Sequence, residues 1–278
     1  MAKIEPHPLN AKTKNFSFAG FALPRLTPTL WQGIASFVIA VILWELLARV
    51  VVDNPLFFAS LTSIVARAIA LWQSGELQEH IWVSFVEFAG GYFLAAVLGI
   101  LGGIGMAASK TARGFFDPWV SMLYATPIIA LGPLFILWLG IGVTSKIAVV
   151  FLTAVFPILI NALVGLTTTD RILLDVARSL GATPQQIYLK VRMPAALPFV
   201  IAGLRLSVAR ALVGVVVAEL FGARAGLGFL ILMSAQSFDT AAMFVGVIVL
   251  AVAGVVSVSA LKWVERKMAP WRFENIDD

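Results

Sequence analysis

Hydrophobic residues along the chain gather in six long runs that are separated by more polar segments. The runs cover approximately residues 31–52, 82–108, 119–140, 146–167, 198–220 and 241–262. About 20 apolar residues are needed for an α-helix to cross the hydrocarbon core of a bilayer, and each run has at least that length. The pattern therefore predicts an all-α fold, a polytopic membrane protein with six transmembrane helices.

The same pattern predicts a single transmembrane domain over residues 31–265. It is preceded by a polar segment, residues 1–30, and followed by a polar tail, residues 266–278. The first apolar run has no cleavage site of small residues after it, so we expect it to be retained as a span.

Composition narrows the class of protein further. Of the 278 residues, 60% are hydrophobic and 13% are charged, whereas about 25% of residues are charged in an average soluble domain. This excludes a soluble enzyme and a disordered chain. The absence of cysteine excludes disulfides and thiolate catalysis.

Positive charge is distributed unevenly between alternate loops. Of the 20 Lys and Arg residues, 15 fall in the two termini and the loops 109–118 and 168–205, and four fall in the other loops. The remaining one, Arg210, lies inside a span. Because Lys and Arg accumulate on the cytoplasmic side of membranes, both termini are predicted to be cytoplasmic.

The predicted cytoplasmic loop 168–197 carries helix signals of its own. Thr169 or Asp170 can cap a helix that runs through residue 180, and Gly181 can end it in a left-handed conformation. Residues 183–186, Thr-Pro-Gln-Gln, then open a second short helix with a capping box, which is expected to stop at Pro194. The loop is therefore predicted to be a compact helix–turn–helix outside the membrane.

Apolar side chains on this loop need a covering partner. Ile172, Leu173, Val176 and Leu180 share one face of the first helix, and an apolar face in water marks a contact surface. They either pack against the ends of the protein's own spans or dock another protein.

The same loop resembles a known family motif. Asp175, Val176, Ala177 and Gly181, followed by residues 191–194 (Val-Arg-Met-Pro), keep the spacing of the pattern E-A-A-x3-G-x9-I-x-L-P. That pattern is the EAA loop of ABC-transporter permeases, in which the loop forms a coupling helix that sits in a cleft of the ATPase subunit.

The resemblance extends over most of the chain from about residue 80. Residues 115–146 and 197–231 are similar to permeases of nitrate, sulfonate and taurine importers, and members often carry a basic residue where this chain has Glu87. The resemblance implies a type I ABC importer (MetI-like) permease fold in a bacterial inner membrane. It also implies the residues of the ATPase-coupling loop, which are Asp175, Ala177, Gly181, Ala182, Ile187 and Pro194.

Partners and cofactors follow from the same resemblance. We expect two ATPase subunits, a periplasmic or surface-attached substrate-binding protein and a second permease copy, with no nucleic acid. The chain has no G-x-x-x-x-G-K-[ST] phosphate loop, so ATP binding and hydrolysis are not expected in it. It is predicted to be no enzyme and to hold no cofactor, while ATP and Mg²⁺ are bound by the partner ATPase.

Charged residues within the spans are costly and need partners or a watery face. Glu45 and Arg49 are four residues apart and are expected to pair. Glu87 is expected to reach the membrane interface, and Arg205 the cytoplasmic headgroups. Glu219 is expected either to bond within the subunit or to line a translocation path. The candidate pathway residues are Pro127 and Pro133, which interrupt the third span, together with Arg210 and Glu219.

The function predicted from these features is the import of a small solute, an anion such as a sulfonate, taurine or a nitrate-like compound. Import of a vitamin precursor is one alternative. Another is an ion-coupled secondary carrier, for which Glu45, Glu87, Arg210 and Glu219 would form a relay. A membrane scaffold or embedded enzyme is disfavoured because no catalytic constellation is present.

Overall fold

A computed structural model describes residues 28–52, 54 and 56–269, with side chains described from residue 31 onwards. The predicted terminal segments 1–30 and 266–278 lie outside these residues except for their innermost positions. The described helices are α1 Pro28–Leu46, α2 Leu61–Gln73, α3 Glu76–Ala108, α4 Lys110–Ala125, α5 Gly132–Leu139, α6 Val143–Thr167, α7 Arg171–Ser179, α8 Pro184–Ile187, α9 Met193–Leu220, α10 Leu227–Gln236 and α11 Thr240–Met268.

Five of these helical segments are long and apolar enough to cross a membrane by themselves. They contain α1, α3, α6, α9 and α11. A sixth span is formed by the pair α4 and α5, which meet at an angle of 80° across a short break. The all-α fold with six predicted spans is therefore confirmed among the described residues when the bent pair is counted as one span.

The chain divides into two compact units at residue 43. Residues 28–43 of α1 are the described part of the first unit, and they form an uninterrupted apolar helix. Everything from Trp44 onwards belongs to the second unit. The sites below all lie in the second unit.

The centre of the second unit is a bundle of α3, α6 and α9. Its core contains small, fully buried side chains from all three helices, including Ala95, Ala154 and Ala211. Glycines allow the close approach: a Cβ atom on Gly91 would lie 2.6 Å from the Cβ of Val150. The α3 glycines at residues 90, 91, 99, 102 and 103 all lie close to α6, whereas Gly105 has open space beside it.

A second apolar core joins the shorter helices α2 and α10 to α11 and the start of α3. Its buried members include Ile64, Leu77, Leu230 and Val245. The helix α10, with ten residues, is too short to cross a bilayer, so it packs at one end of the bundle.

The structure corrects one boundary in the loop between α6 and α9. The second short helix was expected to stop at Pro194, but α8 passes through a π-helical turn, Tyr188–Arg192, directly into α9. Pro194 lies in the first turn of α9. The proline lies just after the π-helical turn, and it cannot donate the next backbone hydrogen bond of the continuous helix.

Candidate functional site

The loop of residues 170–192 is built as two short helices with well-defined ends. Asp170 caps α7 by accepting a hydrogen bond from Ile172 N at 2.9 Å. Gly181 has a φ of +75°, and Ala182 N donates to Ala177 O at 3.0 Å, which closes the C-terminus of α7. Local bonds thus fix the path of this loop, and Asp170 rather than Thr169 is the cap.

The start of α8 is held by a reciprocal capping box. Thr183 N donates to Gln186 Oε1 at 2.9 Å, and Gln186 N donates to Thr183 Oγ1 at 3.3 Å. Pro184 occupies the first turn of α8. The two-helix structure expected from the sequence is present, and the starts of both helices are capped by side chains of the loop itself.

One face of the loop is apolar and exposed. The exposed fraction is 82% for Leu180 and 70% for Ile172, and it exceeds half for Leu173 and Val176. These residues therefore do not pack against the described span ends, whereas Leu174 and Ile187 do point inward and are buried. We call the four exposed residues, Ile172, Leu173, Val176 and Leu180, the apolar ridge.

A cavity of about 320 Å³ opens beside the break between α4 and α5. Its wall is formed by the end of α4, the break itself, and facing residues of α6 and α9. We call it the Arg210 cavity, and its lining residues are Tyr124, Thr126, Pro127, Ile128, Ile129, Thr153, Phe156, Ala209, Arg210 and Val213.

Arg210 contributes the charge of this cavity. Its Nη2 donates to the hydroxyl oxygen of Tyr124 at 3.0 Å, and its Cζ lies 4.8 Å from the centre of the Tyr124 ring. Ten residues separate Arg210 from the end of α9 at Leu220, which corresponds to about 15 Å along the helix. A guanidinium group at that depth would cost about 2.5–3.5 kcal/mol if it faced lipid, so this face is expected to be watery or covered.

The structure brings only two of the four candidate pathway residues to this cavity. Pro127 and Arg210 line it, whereas Pro133 lies in the first turn of α5 and Glu219 is buried elsewhere. The break falls at Thr126 and Pro127, because Pro127 cannot donate to the preceding turn.

A group of buried polar side chains occupies the N-terminal end of α3. We call it the polar cluster; its members are His80, Ser84, Glu87, Lys146 and Glu219. Glu87 and Glu219 have no exposed surface. Lys146 Nζ lies 3.5 Å from Glu87 Oε1, and Glu87 also lies beside the carboxyl group of Glu219.

The polar cluster holds the start of α10. Glu219 accepts hydrogen bonds from Ser84 Oγ and Gly228 N. Leu227 N donates to Ser84 Oγ at 2.7 Å, and Gly226 N donates to His80 Nδ1 at 3.0 Å. Three successive N–H groups at the first turn of α10, which lack intrahelical acceptors, are therefore satisfied by side chains of α3 and α9.

Comparison with known proteins decides the family. Residues 95–270 match the family described as the binding-protein-dependent transport system inner membrane component. The chain belongs to this permease family. It is therefore the membrane subunit of a binding-protein-dependent importer of the ABC class, as the EAA-type loop indicates.

Two relatives and one solved structure show how far the similarity extends. The permease is 36% identical to a putative aliphatic sulfonates transport permease protein of Bacillus subtilis over 87% of each chain. It is 32% identical to a formylaminopyrimidine transport permease protein of Halalkalibacterium halodurans, over 89% of this chain and 96% of that one. A solved structure of the inward-facing MetNI methionine ABC transporter matches this chain with a TM-score of 0.60 at 20% identity. The match covers 69% of this chain and 95% of that one, and it shows the fold.

Expectations for the charged residues of the permease meet different outcomes. Glu45 pairs with Arg49 at 2.7 Å as predicted. Glu87 does not reach an interface, since it is fully buried against Lys146. Arg205, expected at the headgroups, forms an ion pair with the buried Glu265 at 3.1 Å.

Several members of these sites were missed in the sequence. For the polar cluster a signal exists: His80, Ser84 and Glu87 are spaced by four and three residues, which places them on one face of α3. Tyr124 and Thr153 carry no such signal. They meet Arg210 only because α4, α6 and α9 converge at the break.

Proposed function

We propose that the permease works as a pair of copies in a bacterial inner membrane, with its termini in the cytoplasm. Each copy docks one ATPase subunit through the loop of residues 170–192. A binding protein delivers a small anion to the opposite face, and ATP hydrolysis by the partner drives import. The observation that carries this proposal is the exposed apolar ridge on a loop whose helix ends are capped by its own residues.

The energy of docking is sufficient in principle. Burying a leucine-sized side chain contributes about 1.5–3 kcal/mol, and the apolar ridge offers four aliphatic side chains. Each 1.4 kcal/mol changes a dissociation constant tenfold. Burial of this ridge would therefore contribute to docking, and a charge placed within it should weaken binding at least tenfold.

The ATP chemistry is assigned to the partner. The chain lacks a phosphate loop, so ATP and Mg²⁺ would be held by the ATPase subunits. The loop of residues 170–192 is continuous with α9 through the π-helical turn. Movement of an ATPase subunit would consequently be transmitted along α9, which carries Arg210 into the cavity wall.

An anion is the solute that the cavity favours. Arg210 is an intramembrane cation with an aromatic neighbour and no carboxylate within ion-pair distance among residues 31–269 that the structure describes. The Bacillus subtilis relative is named for aliphatic sulfonates, which are anions. The formylaminopyrimidine relative supports import of a vitamin precursor as the second candidate.

The decisive experiment is purification of the tagged permease from its native membrane in mild detergent. We expect an ATPase subunit to accompany it. The substitution Leu180→Asp should lower recovery of the ATPase at least tenfold, because Leu180 is 82% exposed and its replacement leaves the fold of the subunit intact.

The matched control is Thr111→Asp, which adds the same charge at an exposed position of the other predicted cytoplasmic connection. It should leave recovery of the ATPase unchanged. If the wild-type permease purifies alone and its vesicles accumulate solute on an ion gradient, the importer assignment fails and a carrier is indicated.

The carrier alternative has one observation behind it, the buried Glu87 and Glu219 beside Lys146. The predicted relay is not continuous in the described residues. Glu45 bonds to Arg49, Thr62 and Leu61, and Arg210 bonds to Tyr124. Solute uptake in vesicles without ATP would support the carrier, and its strict dependence on ATP would contradict it.

A further inference from the structure

We infer that the Arg210 cavity is a binding site for a small organic anion, with Arg210 and Tyr124 as its charge-recognising pair. This deepens the proposed function, on which it rests, by naming the residues that contact solute and the class of solute.

Arg210 and Tyr124 form a donor pair. The Tyr124 hydroxyl oxygen accepts from Arg210 Nη2 at 3.0 Å, so the hydroxyl hydrogen of Tyr124 remains available to donate. The guanidinium group has five N–H donors, and the remaining ones can reach an oxyanion in the fork geometry that suits carboxylates and sulfonates. The pair therefore presents converging donors on one side of the cavity.

The two threonines of the cavity do not add donors. Thr153 Oγ1 donates to Val150 O at 2.8 Å, and Thr126 Oγ1 donates to Met122 O at 2.9 Å. Their hydroxyl hydrogens are engaged by backbone carbonyl groups. Recognition of the anionic group is consequently assigned to Arg210 and Tyr124.

The rest of the wall is apolar. Pro127, Ile128, Ile129, Phe156 and Val213 face the same space. A strongly hydrated inorganic ion such as sulfate would lose water against these side chains without replacement, whereas the alkyl part of an organic anion would gain apolar contact. The volume of about 320 Å³ lies at the lower end of small-ligand sites. A single guanidinium group matches a single negative charge.

The test uses the full permease in lipid nanodiscs and reads the reactivity of Arg210 itself. Phenylglyoxal modifies accessible arginines, and mass spectrometry measures the rate at each position. Butanesulfonate at millimolar concentration should slow modification of Arg210 at least threefold. Arg224 and Arg113, which are exposed outside the cavity, serve as internal controls and should react at unchanged rates.

Comparison of probes tests both parts of the inference. Butanesulfonamide, a neutral isostere, should give no protection, and sulfate should give less than butanesulfonate. The substitution Tyr124→Phe should weaken the protection by butanesulfonate several-fold while leaving the permease folded. Equal protection by sulfate would overturn the apolar part of the site, and absence of protection by butanesulfonate would overturn the site as a whole.

An uptake assay distinguishes failure of this inference from failure of the proposed function. In the complex purified with its ATPase and binding protein, Arg210→Gln should lower ATP-driven uptake of butanesulfonate at least tenfold. If the wild-type complex and the Arg210→Gln variant import butanesulfonate at the same rate, the anion site is contradicted and the proposed function is not. A wild-type complex that imports nothing with ATP, while butanesulfonate still protects Arg210, would contradict the proposed function alone.

Discussion

The polar cluster and the Arg210 cavity both contain ionisable side chains of the three-helix bundle, but these side chains differ in burial and in hydrogen bonding. In the cluster, Glu219 is fully buried and accepts bonds from Ser84 and Gly228, and Lys146 lies beside Glu87. In the cavity, Arg210 is exposed and its described partner is the neutral side chain of Tyr124.

The difference separates buried polar groups that join helices from an exposed charge that is proposed to bind solute. His80, Ser84 and Glu219 accept the N–H groups at the start of α10, and the cluster thereby holds this helix against α3 and α9. A charge that retains unused donors and faces a cavity costs little to alter but can recognise a ligand. Exposure and bonding, rather than charge itself, therefore distinguish the two regions.

The largest effect is expected from Glu219→Ala. The substitution leaves Ser84 and Gly228 as buried donors without acceptors and removes the link to α10. The free energy of unfolding should fall by about 2–6 kcal/mol, because each buried donor left without an acceptor costs about 1–3 kcal/mol. Reversible unfolding in mixed micelles measures this value, with the exposed Glu79→Ala as control. A loss of unfolding free energy below about 1 kcal/mol would show that Glu219 does not stabilise the fold through the cluster.

A smaller effect is expected from the pair Glu87 and Lys146. Lys146→Met leaves two buried carboxyl groups without their ammonium neighbour, whereas the double variant Glu87→Gln with Lys146→Met removes one of them. The double variant should be more stable than the sum of the single effects predicts, with a coupling of about 1–3 kcal/mol. A double-mutant cycle on unfolding free energies measures it, and simple additivity would show that the two groups do not interact.

The smallest effect on stability is expected from Arg210→Gln. Because Arg210 is exposed and bonds to one neutral hydroxyl, the free energy of unfolding should change by less than about 1 kcal/mol. Arg205→Gln on the same helix is the matched comparison, and it should cost about 1–3 kcal/mol because it strips an ion-pair partner from the buried Glu265. Equal losses of unfolding free energy in the two variants would show that exposure and bonding do not distinguish the two arginines.

Much of the fold could be predicted because its signals are local. Six apolar runs predicted the spans, and the caps around Gly181 and Thr183 predicted α7 and α8. The boundary at Pro194 could not be predicted, since a proline in a first turn and a proline after a last turn look alike in sequence. The prediction for Glu87 was wrong because its partner, Lys146, lies about 60 residues away in the chain, and the ion pair of Arg205 with Glu265 was missed for the same reason.

The sequence by itself determined the membrane class, the spans and the form of the loop of residues 170–192, because hydrophobic length and capping are properties of neighbouring residues. Only the tertiary structure decided which charged residues of the spans are buried and bonded, as Glu219 is, and which line a cavity, as Arg210 does. Tyr124 reaches Arg210, and Ser84 reaches Glu219, through helix packing across 86 and 135 residues of chain. Partnership at that separation depends on how the bundle closes, which no local pattern specifies.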